Sequence, residues 1–148
     1  MKEEVETIFD GPRLLAIIIR ADHEASGVCF FTPDSFSQQL AAMGHPKGKA
    51  ILPHVHNPVQ REVNYTKEVL FIKKGKLRVD FYSEERNYLE SRILLPNDLI
   101  LLAEGGHGFE VLEELQMIEV KQGPYAGEHD KTRFDAIGQE SLKIRGPQ

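Results

Sequence analysis

The chain has 148 residues and a mass of 16.8 kDa, with 41% hydrophobic and 28% charged residues. That predicts one domain with its own core, needing no disulfide or structural metal. Its net charge of −5 (18 Lys+Arg against 23 Asp+Glu) argues against the clustered positive surface of a nucleic-acid binder. The longest apolar run, Leu14–Ile19, has six residues, where a bilayer span needs about 20.

In chain order, short apolar runs broken by turn residues predict nine strands. They are Leu14–Arg20, Val28–Phe31, Lys49–His56, Glu68–Lys73, Lys76–Tyr82, Tyr88–Leu94, Asp98–Leu102, His107–Leu112 and Leu115–Gln122. Leu77, Val79 and Phe81 alternate with Arg78, Asp80 and Tyr82, the period of a strand with one buried face. A single helix is predicted over Asp34–Met43, capped by Asp34 or Ser35, with Phe36, Leu40 and Met43 on one side and Gly44 as its stop. Lys74-Gly75-Lys76, Ser83–Asn87, Pro96-Asn97-Asp98 and Glu113-Glu114 read as the turns. Short strands joined by short turns predict an all-β sandwich or barrel in one domain spanning residues 1–148. Residues 28–122 form its core, and Gly123–Gln148 is a polar arm that packs over the barrel or frays.

Cys29 is the only cysteine, so no intrachain disulfide forms; among Val28, Phe30 and Phe31 it reads as a buried thiol. The opening Met1-Lys2-Glu3-Glu4-Val5-Glu6 is acidic and lacks the apolar stretch of a secretory leader, so a cytoplasmic setting is expected. Lys49–His56 and Glu68–Lys73 are apolar on both faces, as Val69 and Phe71 opposite Leu70 and Ile72 illustrate. A second covered face predicts a homodimer.

The triplet His54-Val55-His56 is the strongest chemical signal. On a strand, residues i and i+2 point the same way, so two imidazoles project into one space, as ligands of a divalent ion do. Gly48 stands six residues before His54, Glu68 seven before Gly75, and the Pro96-Asn97-Asp98 turn precedes His107. This order resembles the two sequence motifs of the cupin superfamily. The first runs G-x5-H-x-H-x(3,4)-E-x6-G and is carried by Gly48, His54, His56, Glu68 and Gly75. The second has a Pro-Gly-Asp-like turn followed by a third histidine, and is carried by Pro96, Asp98, Gly105 and His107.

The resemblance covers about residues 48–112. It implies a double-stranded β-helix, the cupin jelly roll, with a mononuclear divalent transition metal (Fe, Mn, Ni or Zn) held by His54, His56, Glu68 and His107. The chain departs from the family pattern in four places, one of them Val111 where the family has an Asn after the second motif. Eleven residues separate His56 from Glu68, where the family has three or four. Asn97 replaces the usual glycine of the turn, and Ala103 the proline before the last histidine. Glu62, inside the long Asn57–Lys67 insertion, is the rival carboxylate; Glu68 is preferred for its fixed distance to Gly75.

Such a set implies a metal-dependent enzyme acting on a small oxygen-bearing substrate, carbonyl or carbohydrate-like, by isomerisation, lyase chemistry or dioxygenation. Tyr65, Gln122 and Tyr125 are candidate substrate contacts. Asp130-Lys131-Thr132-Arg133 reads as a solvated charge cluster. Two alternatives stand: a metal-free nucleotide-sugar isomerase or epimerase of polysaccharide biosynthesis, and a non-catalytic small-molecule-binding module.

Overall fold

The computed structural model describes residues 4–148, so Met1–Glu3 of the acidic opening lie outside it. Strand accounts for 45% of the chain and helix for 5%, which makes the fold all-β in class. In chain order the strands are β1 (Val5–Asp10), β2 (Arg13–Ile19), β3 (Gly27–Phe30), β4 (Ala41–Gly44), β5 (Glu68–Tyr82), β6 (Tyr88–Leu94), β7 (Leu99–Leu102), β8 (Gly106–Lys121) and β9 (Ile144–Arg145). They fall in two compact units: Thr66–Gln148 with the chain up to His23, and Glu24–Tyr65. Among the described residues, no helix is long and apolar enough to cross a membrane.

The larger unit is one curled, half-barrel sheet in the order β1-β2-β7-β5-β6-β9, with β8 also paired to β5. Its long members are β5 and β8, of 15 and 16 residues, which pair antiparallel from Glu68↔Lys121 to Tyr82↔Gly106. Each runs through two predicted strands and the one hairpin turn expected between them. Lys74-Gly75-Lys76 and Glu113-Glu114 are not turns; the two strands run through together, with register shifts between Ile72 and Leu77. Gly75 has φ +93°, and a Cβ there would meet the Glu114 carbonyl oxygen at 2.1 Å. The glycine that suits a turn therefore serves a bulge, where the ribbon bends and the backbones approach closely. Beyond the bend, β5 changes neighbours. Glu68–Phe71 pair with β7, and Leu77–Tyr82 with β6.

The core cluster includes Ile8, Ile18, Leu70, Ile72, Leu77, Val79, Phe81, Leu94, Ile100 and Leu102. Burial of such side chains contributes about 1.5–3 kcal/mol each. β1 is absent from the sequence-based prediction because one of its two buried positions is Glu6, with Ile8 the other. Glu6 accepts a bidentate pair from buried Arg20, whose Nη1 also donates to Asp98 Oδ2 (2.8 Å) and to the Ile93 carbonyl (2.7 Å). Asp98 in turn accepts from the Leu95 and Ala21 amides (2.8 and 2.9 Å). The turn it pins has Asn97 at φ +70°, the left-handed conformation anticipated for that residue.

Arg78, Asp80 and Tyr82 are buried as well as Leu77, Val79 and Phe81, so this strand has two covered faces rather than one. The cover is the C-terminal arm. Phe134 packs edge-on against Tyr82 at 5.0 Å. The Ile137 amide donates to Tyr82 Oη (3.0 Å), and the Lys143 amide to Tyr88 Oη (2.8 Å). β9 then pairs parallel to β6. Short 3₁₀ turns at Gly127–Asp130 and Gln139–Ser141 complete the arm.

The smaller unit holds the antiparallel β3–β4 ribbon. No helix forms over Asp34–Met43; the segment ends in β4 instead. Its side chains take the backbone for themselves. Gln39 Nε2 donates to the Pro33 and Phe36 carbonyls (both 2.9 Å), and Thr32 Oγ1 accepts from the Leu40 amide (3.1 Å). Such local bonds compete with a helical ladder. A two-stranded ribbon leaves side chains open, and Cys29 is exposed rather than buried. Lys49–His56 forms no strand ladder in the chain, and every residue from His45 to Tyr65 is exposed. Pro53 interrupts its backbone donors.

Candidate functional site

In the larger unit, Glu68 opens β5 and His107 lies near the start of β8. His107 is paired across the ladder with Phe81, far along β5 from Glu68. The bend at Gly75 brings the two halves of the ribbon together, and His107 Nε2 stands 3.5 Å from Glu68 Oε2. Glu68 shares its side of β5 with buried Leu70 and Ile72, so an apolar wall backs the carboxylate.

Two more residues join them. Lys121 is the ladder partner of Glu68, and its Nζ lies 3.4 Å from Glu68 Oε1. Asp130 Oδ2 stands 4.0 Å from the same ammonium, and Asp130 Oδ1 accepts from Thr66 Oγ1. The hydrogen bond from His107 holds the Glu68 carboxyl below its ordinary range; burial opposes this, and the charges of His107 and Lys121 assist it. Burial opposes the charge on Lys121, yet Glu68 prevails and raises it. The outcome is an ionised carboxylate between an imidazole and an ammonium.

Asp130 is exposed, as expected of the Asp130–Arg133 cluster, and also reaches Lys121 and Thr66. No local signal marks it, because its place depends on the arm folding back toward β5 and β8. Lys121 was equally hidden: its role follows from the Glu68↔Lys121 register, between strands far apart in sequence.

In the smaller unit, His54 and His56 lie side by side, ring centroids 5.3 Å apart and nearly perpendicular. His54 Nδ1 is 3.0 Å from the Leu52 carbonyl oxygen. The expected pairing of the two rings is present without the expected strand. Glu68 and His107 belong to the larger unit, and His54 and His56 to the smaller. Among the described residues, no group of three or more His, Cys, Asp or Glu side chains is placed to hold one ion.

The donor chemistry of the Glu68–His107 pair fits a transition ion. A carboxylate oxygen and an imidazole nitrogen 3.5 Å apart span about the edge that two ligands at about 2.1 Å from one ion define. Gln122 is half-buried; its amide donates to the Gly123 carbonyl (3.1 Å), and its backbone N–H to the Lys67 carbonyl (3.0 Å). Tyr65 and Tyr125 are exposed, Tyr125 by 90%. Glu62 is exposed within the insertion.

Compared with known protein families, with curated proteins and with solved structures, the chain matches none.

Proposed function

We propose that the protein is a metal-dependent enzyme of the cupin type, built on a double-stranded β-helix and acting on a small oxygen-bearing substrate. The observation that carries this reading is the convergence of Glu68 and His107 across the bent β5–β8 ribbon. The cupin resemblance adds His54 and His56, which would bring the set to three imidazoles and one carboxylate. A divalent transition ion on such a set supplies Lewis acidity toward a substrate oxygen. Lys121 orients the Glu68 carboxylate and offers a cation to an anionic substrate group. Asp130 faces that lysine from the arm, and Thr66 donates to Asp130. Gln122, beside Lys121, is the nearest candidate substrate contact in the sequence; Tyr65 and Tyr125 are outer ones.

The test is a metal titration by calorimetry, with Zn²⁺, Mn²⁺, Fe²⁺ and Ni²⁺ in turn. One equivalent per chain is expected. Glu68→Gln should weaken binding by at least about 100-fold, since removing even an outer partner of a ligand costs 10–100-fold. Glu62→Gln should leave it unchanged. The reverse pattern would assign the carboxylate to the insertion.

A second reading has its own support. A histidine against a carboxylate is also an acid–base dyad that needs no metal. This is the arrangement a nucleotide-sugar isomerase or epimerase would use. Absence of metal binding, with a raised melting temperature in a sugar nucleotide, would favour it.

A further inference from the structure

Lys121 faces two carboxylates where one balances its charge. Glu68 Oε1 lies 3.4 Å from the ammonium, and Asp130 Oδ2 lies 4.0 Å from it, a long ion pair. Only the first is built into the sheet. Glu68 is buried and is the ladder partner of Lys121, whereas Asp130 is exposed on the arm. The other oxygen of Asp130 is engaged separately, accepting from the Thr66 hydroxyl. An ammonium on one oxygen and a hydroxyl on the other make a two-point clamp for a carboxylate, and bonds to an ionised acceptor are the stronger kind. The two donors are tied together by the sheet: beyond the Glu68↔Lys121 pair, the Gln122 amide donates to the Lys67 carbonyl (3.0 Å).

Asp130 has no such support. It ends the 3₁₀ turn Gly127–Asp130, which buries none of its residues and has no side-chain cap at Ala126. From Gly123 to Arg133 every residue except Gly127 is exposed. The Glu128–Arg133 pair across the turn is exposed too, and surface pairs contribute little. Residues further along hold the arm to the sheet: Phe134 packs on Tyr82, and the Ile137 and Lys143 amides donate to Tyr82 and Tyr88. A segment with so little buried surface opens at small cost. Asp130 can therefore leave the clamp while the rest of the arm stays docked.

We infer that Lys121 and Thr66 form a carboxylate-binding subsite, that Asp130 is its internal occupant, and that the substrate carries a carboxylate which displaces Asp130. The subsite stands on these contacts; its place beside a reactive centre rests on the reading of Glu68 and His107 above. Glu68 links the two, with Oε1 toward Lys121 and Oε2 toward His107. A substrate anchored through its carboxylate is thus held one side chain from the imidazole, and such positioning lowers the barrier to reaction. Charge selects a monoanion. Glu68 already balances the one ammonium, and the charge of Glu119 also reaches it. A carboxylate replaces only the charge that Asp130 withdraws, whereas a phosphate dianion sets one more negative charge against these acids.

The experiment is an NMR titration of the full chain, resolved by backbone amide, with and without Zn²⁺. Pyruvate is the carboxylate probe; pyruvamide and inorganic phosphate are the controls. Pyruvate should shift the Thr66, Lys121 and Asp130 signals, and neither control should. Asp130→Ala should bind pyruvate about tenfold more tightly, the gain for a subsite that Asp130 fills about nine-tenths of the time. Lys121→Gln should lose the shifts, and Lys121→Arg, which keeps the charge, should retain them. Unchanged or weaker binding in Asp130→Ala makes Asp130 a structural partner of Lys121 and overturns the displacement. Pyruvate shifts in neither the native protein nor Asp130→Ala overturn the subsite, and shifts by phosphate instead overturn the carboxylate class. The metal reading fails separately. Pyruvate binding by a chain that takes up no metal refutes that reading and leaves the subsite standing; metal binding without pyruvate binding does the reverse.

Discussion

His107 Nε2 lies 3.5 Å from Glu68 Oε2, although the ladder partner of His107 on β5 is Phe81, thirteen residues beyond Glu68. Thirteen residues of straight strand would span about 43 Å. The contact therefore exists only because the β5–β8 ribbon bends between Ile72 and Leu77. The site is a property of that bend as much as of its two side chains.

The bend rests on Gly75. Replacing it by Ala forces a side chain into φ +93° and drives Cβ into the Glu114 carbonyl. Gly75→Ala should cost more than about 2 kcal/mol, combining the backbone penalty with a clash against main chain that has no freedom to yield. Urea unfolding measures the loss. Weaker metal binding in the folded fraction would show that the Glu68–His107 approach has been disturbed with it.

The Arg20 cluster is the second fixed point. Asp98→Ala removes one acceptor from buried Arg20 and leaves the Ala21 and Leu95 amides without theirs. Breaking a buried pair from one side costs about 3–5 kcal/mol. The urea midpoint should fall accordingly with an unchanged slope. A loss below about 1 kcal/mol would mean that water replaces the carboxylate there.

These two features show which parts of the molecule the sequence makes legible. β6 runs from Tyr88 to Leu94 as its apolar pattern predicts, and Asn97 takes the left-handed turn. Local chemistry decides both. Gly75 misleads because a positive φ suits a hairpin and a bulge alike, and only the Glu114 backbone opposite distinguishes them. β1 escapes notice because Glu6 occupies an inward position, stabilised by an arginine fourteen residues away. The Asp34–Met43 pattern suits a helix, but Thr32 and Gln39 capture the backbone first. Glu68 and His107 come from a motif resemblance, and the structure brings them together. Lys121 and Asp130 depend on strand register and arm placement, which no local pattern encodes.

Phe134 is one of the residues that hold the arm to the sheet. Its ring meets Tyr82 edge-on, and Arg86 lies 5.9 Å from its centroid. Phe134→Ala should cost about 1–2 kcal/mol in lost aromatic contact and burial. The loss should be local. Amides such as Ile137, which donates to Tyr82, should exchange faster with solvent water, while those of β2 and β7 keep their protection. Uniform loss of protection would show instead that the arm and the sheet unfold as one.

Acid should act through Glu6 in a defined window. Burial pushes its carboxyl up, but the bonds and charges of Arg20 and then Arg92 outweigh that and hold it below the ordinary 4.5. A carboxyl with a lowered folded-state value binds its proton more readily when unfolded. Its stabilisation is complete above pH 4.5 and is lost as pH falls through the folded-state value. Unfolding free energy should therefore be insensitive to Glu6 near neutrality and decline below about pH 4.5. Glu6→Gln should be less stable than the native protein at pH 7, and its curve should converge toward the native one as the pH is lowered. Parallel curves from pH 7 down to pH 3 would show that Glu6 titrates alike in the folded and unfolded chains.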